Sequence, residues 1–361
     1  MKGSMRLPFK LIIKIAAAAV CLALAALAGG IFALHRAALP PDANDTASAR
    51  VAVPAGMTAR ALASELEGRK LIRSGRLFYF AARFPLVKRL LTGNGAPFLL
   101  KSGVYRLGGA MSLRQTLLIL SEGEQEYIRV SIPEGLTISK IAARLEAADI
   151  CPAKDFIAAA ADPALLAEYR IPARSFEGYL FPDTYFFIPG TAGTDALVKM
   201  ADTFFERIKT LPGFADMDFE RLHRTVILAS IVEREYRRDD EAPLIASVFQ
   251  NRITHNIGLY SCATVEYVIT EIEGRPHPDV ITYADLAIES PYNTYRCAGL
   301  PPGAISNPGE VALRAAANAP KTDYYFFRLT DGASGTHVFS KDFAEHVNQG
   351  ARYRTKKTAG R

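Results

Sequence analysis

The sequence predicts an α+β protein behind an N-terminal transmembrane anchor, and three observations carry that reading. Ile15–Leu34 is a run of twenty residues without a charge, preceded by Lys2, Arg6, Lys10 and Lys14. A strand–turn–helix pattern then occurs twice, in VAVPAGMTARALASELE (51–67) and VSIPEGLTISKIAARLE (130–146). After the second copy, helical and strand-like stretches mix without the strand–helix alternation of a parallel sheet.

Twenty helical residues span about 30 Å, the thickness of a bilayer's hydrocarbon core. The basic flank places the N-terminus in the cytoplasm and everything after His35 outside it. The apolar run exceeds the roughly 7–15 residues of a signal-peptide core, which predicts an uncleaved anchor over residues 1–36. Residues 37–50, rich in Ala, Pro and polar groups, read as a linker. In each repeat a turn with Pro and Gly precedes a Thr (Thr58, Thr137) that caps an amphipathic helix. MSLRQTLLILSEG (111–123) is a looser echo after the strand SGVYRL, with Ser112 as its cap. Two similar copies suit a small α+β module rather than a solenoid, which needs more repeats.

Residues 150–170 are Ala-rich and read as helical. SFEGYLFPDTYFFIPG (175–190) alternates aromatics with small and acidic groups, which suits either the wall of a sugar-binding groove or a buried hairpin. Glu177 and Asp183 favour the groove, since a core hairpin has little use for two acids. Helices are expected over 195–210 and 242–253, the latter with Asn251 and Arg252 near its end. A polar-aromatic stretch (Tyr260–Tyr267), a loop (290–309), a helix (Glu310–Ala319), the aromatic strand DYYFFRL, a hairpin-like DGASGTHVF and a last short helix complete the chain.

The stretch Thr225–Arg238 sets an acid where an apolar residue belongs. At 100° per residue Ile227, Leu228, Ile231 and Val232 share one helical face, and Glu235 falls in its middle. Glu233 points the other way, toward Val226, Ala229 and Ser230. A carboxyl on a packed face must be hydrogen-bonded, paired or protonated. Burial that raises its pKa makes Glu235 a candidate general acid. A surface helix, with Glu233 pairing Arg237 at i,i+4, is the alternative.

Several chemistries are excluded. The net charge of +6 partly reflects the two termini, and no basic stripe with interleaved aromatics is present, so nucleic acid is not an expected partner. There is no phosphate-binding loop, no dinucleotide fingerprint and no G-x-S-x-G. The histidines lack metal-ligand spacing and no CxxC occurs, so neither a metal nor a cofactor is expected. His337 and His346 could line a site, though a surface or packing role is the first reading of each. Cys151, Cys262 and Cys297 fall outside the membrane, so one thiol at least stays free within the chain, and a bridge between Cys262 and Cys297 is open. Ordinary glycoside hydrolysis needs two facing carboxylates. Glu233 and Glu235, about 200° apart on one helix, cannot both face one bond.

ASIVERE, FEGYLFPDTYF, the loop SPYNTYRCAGLPPGAISNPG and GTHVFSKDFAEHVN together resemble the membrane-anchored endolytic murein transglycosylases, the YceG-like family. The resemblance implies a LysM-like module over 51–128 and a YceG-like catalytic domain over 129–350 that opens with the second repeat, followed by a basic tail at 351–361. It implies a lyase that cleaves the MurNAc-β-1,4-GlcNAc bond within nascent peptidoglycan and leaves 1,6-anhydro ends. In that chemistry one carboxyl acts as acid and then as base, because the nucleophile is the sugar's own 6-hydroxyl. The catalytic position lands on Glu235, and Glu177, Asp183, Glu233, Ser261, Thr264, Tyr292, Asn293 and Thr294 are implied to line the groove. Peptidoglycan strands and the inner membrane, spanned once, are the implied partners, with penicillin-binding proteins or other wall synthases beside them. Two departures stand out: Tyr236 follows the catalytic Glu where many members have Thr, and LYSCAT (259–264) replaces a common LQ-[ST]-DPT. A non-catalytic glycan-binding scaffold stays open, as does a hydrolytic muramidase using a second carboxylate such as Glu177.

Overall fold

The computed structural model describes residues 9–54, 56–123, 127–331 and 334–349; Lys2, Arg6 and the tail 351–361 lie outside the described residues. The chain divides into two compact units between Tyr127 and Ile128.

The first unit begins with α1, Phe9–Ala38. Its segment Val20–Ala38, of mean hydropathy 1.8, is long and apolar enough to cross a membrane. Strand β1 (Ser48–Val53) pairs antiparallel with β2 (Gly103–Gly108), Val51 opposite Tyr105. Between and after them lie α2 (Ala59–Gly68), α3 (Gly75–Arg83), α4 (Pro85–Thr92) and α5 (Leu113–Glu122). The caps explain where the helices begin. Thr58 accepts the Ala61 N–H, Ser74 that of Leu77, and Ser112 with Gln115 closes a reciprocal capping box. Leu62, Leu66, Phe78, Tyr105, Leu107 and Leu117 form the core.

The second unit opens with β3 (Ile128–Ser131), which pairs antiparallel with β4 (Thr184–Phe187). Helix α6 (Ile138–Ala147) is capped by Thr137, followed by α7 (Ala153–Ala160), α8 (Pro163–Glu168) and α9 (Gly193–Ile208). The spine is α10 (Phe219–Glu235), flanked by α11 (Ala242–Thr254) and α14 (Glu310–Ala317). Short α12 (Cys262–Tyr267) runs into a π-turn at Val268–Ile272, and α13 (Tyr283–Leu286) precedes the long loop. A hairpin of β5 (Phe326–Asp331) and β6 (Thr336–Ser340) leads to a final helix at 343–349. The two sequence repeats therefore build similar strand–helix pieces in separate units, each completed by a different partner strand.

Two expectations change. The rings of 175–190 do not line a groove: Phe176, Tyr179, Phe181, Tyr185 and Phe187 are core, and only Phe186 points outward. Burying such a ring contributes about 1.5–3 kcal/mol, and β4 finds its partner in distant β3 rather than in a local hairpin. Helix α10, read as two-sided, is buried all round from Thr225 to Val232, because α11, α14 and the 302–309 loop enclose it. Glu233 is therefore drawn into the interior as well.

Asn307 ties these pieces together. Its Oδ1 accepts the N–H groups of Gly178 (2.9 Å) and Leu180 (3.0 Å), and its Nδ2 donates to Leu136 O and to Glu177 (2.8 Å). Gly178 has φ +91°, and a Cβ there would lie 2.5 Å from Ala304 Cβ and 2.7 Å from Val226 Cγ1, so only glycine fits. All four cysteines are free.

Candidate active site

Helix α10 stops at Glu235 because Tyr236 turns to extended backbone (φ −71°, ψ 152°), leaving the carboxyl at the helix's C-terminal end. Ser261, the residue before α12, donates its hydroxyl to Glu235 Oε1 at 2.5 Å. A polar knot fixes Ser261. Its N–H bonds Thr294 Oγ1 (3.1 Å), its carbonyl accepts the Thr264 hydroxyl (2.7 Å), and the two threonine hydroxyls meet at 2.9 Å.

Glu235 and Ser261 form part of the lining of a cleft of about 580 Å³. Its walls carry Tyr260, Phe249 and Phe326 together with Arg234, Arg237, Arg252, Arg328, His337 and His346, and Glu235 is the only acid among the lining residues. Burial pushes the Glu235 carboxyl above the usual carboxylate range. The Ser261 hydroxyl and the neighbouring His337, Arg234 and Arg237 side chains pull the other way. The negative end of the α10 dipole acts in the same direction as burial. A carboxyl so placed keeps a proton to higher pH and can give it to a bound oxygen.

The other residues implied by the sequence separate into different places. Glu233 faces away from the cleft; it accepts the Gly309 N–H at 2.9 Å and the Tyr236 hydroxyl at 3.4 Å, and burial pushes it up to about 7. Glu177 receives the Ile138 N–H on both oxygens (3.2 Å each) at the start of α6, and burial pushes it up to about 8. With Tyr292 it lines a separate cavity of about 500 Å³. Asn293 is buried, bracing the loop by donating to the carbonyls of Leu286 and Ile288. Asp183 sits at the surface in an ion pair with Arg207 at 3.2 Å. Only Ser261, backed by Thr264 and Thr294, is brought to Glu235.

Sequence reading missed part of the cleft. Arg252 donates to Leu259 O (2.6 Å) and Tyr325 O (2.7 Å), its guanidinium against the rings of Tyr260 and Phe326. His337, which the sequence allows either to line a site or to pack, does both: it is buried on the cleft wall with Nδ1 2.7 Å from Glu241 Oε2. His346 lines the same wall, 3.3 Å from Arg328 Nη2. No local pattern marks these residues, whose partners are far away in sequence.

A carboxyl whose pKa is raised by burial, in a cleft of rings and basic side chains on a mixed α+β frame, is chemically suited to donate a proton. The chain belongs to the YceG-like family, whose profile matches residues 51–352. It is 29% identical over 347 residues to the endolytic murein transglycosylase of Bacillus subtilis, covering 90% of each chain. It is 28% identical to the endolytic murein transglycosylase of Streptococcus pneumoniae, over 89% of this chain and 63% of that protein. A crystal structure of a YceG-like protein from Listeria monocytogenes is similar, with a TM-score of 0.52 at 29% identity, over 84% of this chain and 99% of that one.

Proposed function

We propose that this chain is a membrane-anchored endolytic lytic transglycosylase. It cleaves the MurNAc-β-1,4-GlcNAc bond inside nascent peptidoglycan strands, and Glu235 is its single acid–base group. The observation that carries this reading is the lone, burial-raised carboxyl of Glu235 in a cleft with no second acid among the described residues that line it. Hydrolysis would need a facing carboxylate to activate water, and Glu177, bonded to Ile138 and Asn307, lines another cavity. Intramolecular attack needs none. Glu235 gives its proton to the glycosidic oxygen as the C1–O bond breaks. The same carboxylate then takes the proton from the 6-hydroxyl as its oxygen bonds C1, so the enzyme ends as it began.

The Ser261 hydroxyl steadies the carboxylate between the two transfers, and the cationic walls suit a polymer that bears carboxylates. In this reading α1 is a single-pass anchor with the N-terminus in the cytoplasm and both units outside the inner membrane. The first unit serves as a LysM-like glycan-gripping module. Cleavage beside penicillin-binding proteins or other synthases would end strand growth. The test is mass spectrometry of uncrosslinked glycan strands digested by the detergent-solubilised full chain and by its Glu235→Gln form. Anhydro-ended products from the wild type alone are expected. Reducing ends would move the reading to a muramidase, and intact strands that still bind would move it to a scaffold.

A further inference from the structure

Helices α3 and α4 of the first unit leave an apolar face uncovered. Phe80, Phe84, Leu86 and Leu90 are 50%, 47%, 69% and 79% exposed; Phe80 and Phe84 stack at 6.0 Å, and Leu86 and Leu90 lie one turn apart on α4. Single exposed apolar residues are ordinary, but a cluster of large ones marks a surface that something covers. Arg76 and Arg83 of α3 and Arg89 of α4 are exposed as well, Arg83 with its guanidinium 5.9 Å from the centre of the Phe84 ring. From Gly68 to Ser121 the sequence carries ten Lys or Arg and not one Asp or Glu.

Helix α3, which carries Phe80, is also in contact with α1. Ala37 and Ala38, at the end of the apolar helix, pack on the unit's core, and α1 contacts α3 and α5. Arg73, on the turn just before α3, donates to the carbonyls of Pro40 (2.6 Å) and Pro41 (3.1 Å), clamping the chain as it leaves the helix. The span Val20–Ala38 ends at that clamp, and its large side chains, such as Leu27 at 61% and Phe32 at 64%, are uncovered too.

We infer that the α3–α4 face lies in the interface of an anionic lipid bilayer, its rings and leucines among the acyl chains and its arginines at the phosphates. This rests on reading α1 as a membrane span. The occupant follows from the contact of α3 with that helix and from charge. Short amphipathic helices with Phe and Leu on one side and Arg at the rim bind bilayers in this way, and each basic residue near an anionic surface adds to the attraction. The docking would hold the first unit flat against the membrane at a fixed height.

The chain has no tryptophan, so one introduced Trp reports depth without background. The full chain is reconstituted into vesicles of phosphatidylglycerol and brominated phosphatidylcholine as Leu86→Trp, Leu90→Trp and, within the anchor, Leu27→Trp. All three are expected to emit blue-shifted light and to lose intensity to the bromine atoms. Adding Arg83→Glu and Arg89→Glu should restore the emission of Leu90→Trp and leave that of Leu27→Trp unchanged. Quenching at Leu27→Trp with water-like, unquenched emission at both helix positions would overturn the docking and leave the anchor standing. Unquenched emission at Leu27→Trp as well would overturn both.

Discussion

Glu235→Gln separates the proton from the shape of the group that carries it. Gln fills the same volume, and its amide oxygen can still accept the Ser261 hydroxyl now 2.5 Å from Glu235, but it can neither give nor take a proton. Acid–base transfer contributes typically 10²–10⁴-fold, or about 3–5 kcal/mol of barrier. Stability should move the opposite way. Burial raises the carboxyl's pKa in the folded state above its ordinary 4.5. The wild type thus has its full stability from this group below the unfolded value and loses it as pH rises through the folded one. A neutral Gln has no such loss, so the variant should melt at the same temperature as wild type in acid and higher at neutral pH. The assay is release of anhydro ends, timed by mass spectrometry, beside thermal melts of both proteins across that pH range. Near wild-type release by Glu235→Gln would refute the reasoning, as would an equal loss in Glu233→Gln. A melting temperature that falls with activity would show that the variant fails through its fold.

Ser261→Ala removes a hydrogen bond that favours the charged carboxylate, so the alkaline limb of the pH–rate profile should move to higher pH; movement to lower pH would contradict the assigned bond. Glu177→Ala leaves the Ile138 N–H and one of the two Asn307 amide hydrogens without an acceptor inside the protein, and denaturant melts should show a loss of about 2–4 kcal/mol. Glu177→Gln should remove the part of the wild type's instability that grows from the ordinary 4.5 up to about 8, the interval over which buried Glu177 is protonated folded and ionised unfolded. Gly178→Ala, forcing a Cβ against Ala304 and Val226 at a positive φ, should destabilise by about 1–3 kcal/mol, read as a lower melting temperature with the cleft chemistry intact in the surviving fold.

The chain itself determined what depends on neighbours one turn away. Thr58, Thr137 and Ser112 start helices because each offers an oxygen to an N–H three residues on. The charge-free run Ile15–Leu34 lies within one helix, and Glu235 occupies an apolar helical position that can be counted off from Ile227 and Leu228. Tertiary structure alone decided which polar groups meet. Ser261 reaches Glu235 across 26 residues, Asn307 reaches Glu177 across 130, and His337 reaches Glu241 across 96. The aromatics of 175–190 show why such matters escape the sequence. Alternating rings fit a sugar groove and a core equally well, and what decides is whether β3, fifty-odd residues upstream, lies alongside to bury them. Periodicity tells a side chain which way to face relative to its own helix or strand; the energy of a buried carboxyl or ring depends on what the rest of the chain has placed there.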